Sequence, residues 1–235
     1  MSPKFLKILI CLVFSNFLGA SITIDGKLSE PEWKNAQLVR DFLTVYPNDK
    51  SSPKYKTEVR FFSNEKGIYF GFLNEQPIET QTPLKHPRDK WFVDADRNLI
   101  MIDFDANSNV GYEFSVTLGD TLRDAIWTNE NEKSGSWDAI WFAKTHQTEF
   151  AWYSEFFIPW EVAPMNVVAE KERSIKVSFF RKHHSENKFY NFPGLWSEQS
   201  PFLSKFSYLK VKNPKNIKSS SCLLYTSDAA DDGVG

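Results

Sequence analysis

Residues 98–160 read NLIMIDFDANSNVGYEFSVTLGDTLRDAIWTNENEKSGSWDAIWFAKTHQTEFAWYSEFFIPW, and the spacing within this stretch decides the fold class. Apolar residues recur at every second position between short polar turns, which is the pattern of antiparallel strands. In 112–118, Tyr112, Phe114, Val116 and Leu118 share one face while Glu113, Ser115 and Thr117 take the other, so a half-buried strand is expected. In 150–158 the alternation groups Phe150, Trp152, Phe156 and Ile158, and Pro159, which cannot donate to a ladder, should end the strand. Between these strands lie Trp127, Trp137 and Trp141 beside Arg123, Asp124, Asn129 and Asp138. Flat aromatic faces and hydrogen-bonding groups are thus concentrated in one part of the chain.

Outward from this centre, further strands are predicted at 57–62, 68–73, 99–104, 121–127, 139–145, 174–181 and 206–211. The first two are joined by the turn 63–67 as a hairpin. Residues 42–55 are polar and broken by proline. Residues 75–97, with Pro77, Pro83, Pro87, Trp91 and Phe92, suggest a long ordered excursion, and a loop with His183, His184, Pro193 and Trp196 precedes the last strand. Near the start, Ser29 is placed to cap one short helix, with Glu30 and Glu32 at its positive end and Trp33 and Ala36 on one face. About nine or ten strands with one short N-terminal helix predict an all-β, jelly-roll-like antiparallel β-sandwich.

The 235 residues suit one domain of moderate size, and the aromatic share of 16%, led by 21 Phe, favours strands with a heavily aromatic core. A net charge of -2 and the absence of a basic stripe argue against a nucleic-acid partner. Residues 1–20 have the form of a secretory signal peptide: Lys4 and Lys7 precede an apolar run from Ile8 to Ala20 that is too short to span a bilayer. Residues 213–235 are expected to be a linker followed by non-native sequence, because CLLYTSDAADDGVG from Cys222 resembles the translation of a sequencing-library adapter. That makes the domain, residues 21–212, the N-terminal fragment of a larger exported protein, located in the periplasm, at the outer membrane or outside the cell. Without Cys11 and Cys222 it has no cysteine for a disulfide or thiolate metal site.

Three segments carry a resemblance. ITIDGKLSEPEWKNA (22–36), TEVRFFSNEKGIYFGF (57–72) and WYSEFFIPW (152–160) resemble the opening, first hairpin and late strand of carbohydrate-binding module family 9 domains. GYEFSVTLGDTLRDAIW and SWDAIW are most similar to a bacterial branch in which the module precedes an outer-membrane β-barrel. The resemblance implies a polysaccharide or oligosaccharide ligand, no catalytic residue and a possible barrel partner in the same chain. It leaves open an interaction or gating domain with no sugar ligand.

An indole face suits the C–H face of a pyranose, and Arg, Asn and Asp side chains bond its hydroxyls. The candidate sugar-binding residues are therefore Trp91, Trp127, Arg123, Asn129, Trp137, Asp138 and Trp196, each set against an ordinary core or surface role. Asp103, Asp105 and Asn107 alternate as calcium ligands would, although Asp- and Asn-rich turns commonly bond their own backbone. No cofactor is expected beyond such a structural calcium. The four histidines lack the spacing of a zinc site. Glu113 and Glu155 are the one carboxylate pair that a glycosidase reading could use, and each is better explained as the outward residue of an alternating strand.

Overall fold

The computed structural model describes residues 22–90 and 93–214. Among the described residues the one α-helix, α1 (Pro31–Lys34), is followed by β1 (Gln37–Val39), β2 (Leu43–Tyr46), β3 (Thr57–Ser63), β4 (Gly67–Glu75), β5 (Arg97–Asp103), β6 (Val110–Thr117) and β7 (Leu122–Thr128). Then come β8 (Glu132–Ser134), β9 (Phe142–Gln147), β10 (Ala151–Pro159), β11 (Glu172–His183), β12 (Lys188–Phe192) and β13 (Ser207–Lys212). The five-stranded sheet runs β1-β3-β4-β10-β9, and the eight-stranded sheet runs β2-β12-β11-β5-β6-β7-β8 with β13 also paired to β11. Every pairing is antiparallel. This is the expected β-sandwich.

All nine strands read from the sequence form, and β10 ends at Pro159 as its missing N–H requires. Four more were not anticipated. β1, β2, β8 and β12 are three to five residues long, too short to show an alternation, and β2 lies in the proline-broken segment. The helix also departs from expectation. It begins on Pro31 with Glu30 at the N-cap and no side-chain cap bond, so Ser29 does not cap it. Phe150 stays exposed ahead of β10, because the chain is still turning there.

The inner faces meet in an aromatic core in which Phe179 of β11 packs edge-on against Phe70 and Phe72 of β4 at 5.6 and 5.9 Å. A polar bridge crosses it. Asn74 and Asn98 exchange Nδ2-to-Oδ1 bonds of 2.9 and 3.1 Å between the sheets, and the Ser154 hydroxyl donates to Asn98 Oδ1 at 2.8 Å. These groups are fully buried, so each bond replaces one lost to water.

The eight-stranded sheet is covered on its outer face as well. Val45, Leu99, Met101, Trp127, Phe180, Phe202, Leu203 and Phe206 form a second apolar cluster there, with Phe189, Leu195 and Trp196 packed against it. Gly111 permits the covering segment to approach, since a Cβ at that position would stand 2.6 Å from Leu203 Cδ2. β6 is consequently buried on both faces, not half-buried.

Candidate functional site

The second cluster stops short of filling the outer face, leaving a cavity of about 430 Å³ between the sheet and residues 193–199. Register explains its floor. Leu99 lies between Phe180 and Ser115, and Met101 between Ser178 and Glu113, so alternate residues of β5, β6 and β11 face outward together. Phe189 and Trp196 make an aromatic wall: Trp196 stacks on Tyr46 at 5.7 Å and meets Phe189 edge-on at 5.4 Å.

Glu113, in the middle of this floor, is completely buried. Arg123 Nη2 and Lys133 Nζ both donate to its Oε1, at 2.5 and 2.8 Å. Lys133 also reaches Oε2 at 2.6 Å, and Trp127 Nε1 donates there at 2.9 Å. Burial pushes the carboxyl up, but Lys133 and Arg123 beside it outweigh that and hold it at about 2. Burial pushes Lys133 down, against the pull of Glu113. Lys133 lies opposite Trp127 in the β7–β8 ladder, with its ammonium 5.2 Å from the indole centroid. Arg97 and Lys182 stand over the other end of the floor, each 5.7 Å from the Phe189 ring centroid.

Of the candidate sugar-binding residues, Arg123, Trp127 and Trp196 line this cavity together. The others lie elsewhere or are not described. Trp137 closes one end of the main core, 4.9 Å from Tyr112 and 5.8 Å from Phe114. Asp138 is exposed and bonded to Arg88 at 3.1 Å, and Asn129 sits in the β7–β8 turn, bonded to Glu132 at 3.0 Å. Trp91 lies outside the described residues. Trp127 lies near the end of β7, where the predicted strand 121–127 put it. Sequence reasoning missed Arg97, Lys133, Lys182, Phe180 and Phe189. One signal was available: β5 carries Leu99 and Met101 as well as Ile100 and Ile102, and a strand apolar on both faces is covered on both.

The calcium candidates spend their oxygens locally. Asp103 accepts from the backbone of Asp105 and Ser108 at 3.2 and 2.6 Å, Asp105 pairs with Arg173 at 2.9 Å, and Asn107 accepts from Asn109 N at 2.9 Å. Three other carboxylates, Asp89, Asp124 and Asp138, converge within 4.8 Å. The Arg88 guanidinium lies among them, 2.7 Å from Asp124 and 3.3 Å from Asp89, in the place a cation would take.

Glu113 and Glu155 do not form a pair. Glu113 faces out of the eight-stranded sheet, whereas Glu155 lies on the outer side of the five-stranded sheet, accepting from Asp25 N and Gly26 N at 3.0 and 3.1 Å. The whole sandwich separates them, so they cannot flank one glycosidic bond. Both are buried beneath outer coverings and neither is the exposed strand residue that alternation suggested.

No family model matches the chain, and no curated protein does. Solved structures do. A carbohydrate binding module family 9 domain from Caldicellulosiruptor kristjanssonii, in complex with cellotriose, superposes with a TM-score of 0.56 at 13% identity, covering 83% of this chain and 92% of that one. The chain has that fold. The glucose complex of a family 9 module from the same organism gives 0.55 at 14% identity over 84% and 95%. A protein of Bacteroides uniformis assigned a carbohydrate-binding role gives 0.58 at 11% identity over 77% and 88%.

Proposed function

We propose that this chain is an exported, non-catalytic carbohydrate-binding domain, the N-terminal part of a larger envelope or carbohydrate-degrading protein, and that the cavity on the eight-stranded sheet holds the saccharide. The observation that carries the proposal is the joining, in one recess, of an aromatic wall from Phe189 and Trp196 with the fixed donors Arg123 and Lys133. The volume lies in the range of small-ligand sites. An aromatic surface takes the apolar face of a sugar ring, and charged donors take its hydroxyls. The fold shared with modules solved in complex with cellotriose and glucose supports the reading.

Glycan-array screening of the full chain, followed by calorimetric titration of the hits, tests it. Saturable binding is expected, and Trp196→Ala should weaken it about tenfold or more, equivalent to about 1.4 kcal/mol, with far-UV circular dichroism unchanged. Failure of the wild-type chain to retain any saccharide would overturn the proposal.

A further inference from the structure

Arg97 of β5 and Lys182 of β11 are directly opposed in the ladder that joins these two strands. Like charges so placed repel, and the usual remedy is an adjacent carboxylate. Neither has one. Among the described residues, Arg97 makes no ion pair and no side-chain hydrogen bond, and its Nε is buried without a partner. Lys182 makes one long bond, 3.4 Å to the Val93 carbonyl, and no ion pair. The carboxylates around them form no ion pair with either cation: Glu113 is bound by Arg123 and Lys133, Asp96 accepts from Gln76, Thr82 and His184, and Asp94 and Glu198 stand exposed at the rim.

We infer that the saccharide bound here carries an acid group, a carboxylate or a sulfate, received between Arg97 and Lys182. The inference rests on the saccharide reading of this cavity and narrows it to acidic sugars. A guanidinium binds a planar carboxylate or a sulfate through two parallel N–H bonds, and a neighbouring ammonium adds a point charge. Both cations lie against the Phe189 ring, so the acid group would be held at one end of the recess while the ring of the sugar meets the aromatic wall. Burial and the nearby Arg123 push the Arg97 guanidinium down to about 10 against the pull of Glu113, and burial and Arg97 push Lys182 down against the pull of Asp94 and Asp96, so the carboxylates nearby do not offset the crowding of these cations.

The test is a titration of the full chain with a galacturonate trisaccharide, a sulfated galactose oligosaccharide of the same length, and cellotriose. At least one acidic ligand should bind about tenfold tighter than cellotriose at low salt, and which one does separates carboxylate from sulfate. That advantage should shrink severalfold near 0.5 M salt, roughly, as screening predicts. Arg97→Met and Lys182→Met should each weaken the acidic ligand severalfold more than cellotriose, so that the advantage is lost, and Arg97→Lys should restore part of it. Both Met variants should fold, because each removes a like-charge opposition. Cellotriose binding as tightly as both acidic ligands, or acidic binding untouched by both Met substitutions, overturns the acid-group assignment and leaves the saccharide site standing. Binding of no saccharide overturns both.

Discussion

Glu113→Gln is the sharpest probe of how the cavity floor is held. The substitution preserves shape and leaves an oxygen for the Trp127 indole, but it strips the countercharge from Arg123 and Lys133 in a fully buried position. Two routes give its cost. A carboxyl lowered from 4.5 to about 2 corresponds to about 3 kcal/mol of folding stability at neutral pH. Removing one partner from a buried charge pair costs about 3–5 kcal/mol. For a domain of this size that is a fall of roughly 6–20 °C in Tm. Because the folded-state value is depressed, the wild-type stabilisation is present above pH 4.5 and is lost as pH falls towards 2. The variant should lack that acid limb. Urea unfolding of both proteins between pH 2 and 7 measures the difference. A loss below about 1 kcal/mol, or an acid limb unchanged in the variant, would refute the claim that this carboxylate neutralises the floor.

Two further predictions concern the rest of the sandwich. Burial pushes Glu155 up to about 7, against the pull of the Asp25 and Gly26 N–H groups, so its contribution is present below pH 4.5 and is lost as pH rises to 7, by about 3 kcal/mol. Glu155→Gln should flatten this slope, read from urea midpoints at the two ends of that range, and an unchanged slope would assign it to another group. Asn98→Ala removes a partner from both Asn74 and Ser154 in the buried space between the sheets and should cost about 3 kcal/mol; an equilibrium loss below about 1 kcal/mol would mean that the two groups find other partners.

The long strands were legible because one face of each packs against the opposite sheet, and period-two alternation survives in residues such as Tyr112, Phe114 and Val116. Short strands carry too few residues to alternate, which is why KFYNF in β12 read as loop. The site was only partly legible. Arg123, Trp127 and Trp196 are conspicuous as residue types, but Trp137 and Trp141 are equally conspicuous and belong to the core. What distinguishes them is the face of the sheet, and that depends on a covering segment far along the chain. The facing of Arg97 against Lys182 is a matter of register between strands about eighty residues apart in sequence, which no pattern within either strand encodes.

Lys133 is carried by β8, three residues long and outermost in its sheet, yet its ammonium reaches inward to the carboxylate at the cavity floor. Terminal ladders of this kind are the first to fray. With β8 unpaired, Glu113 would be left with Arg123 and the indole alone. The charge balance of the floor therefore depends on a three-residue edge strand staying paired.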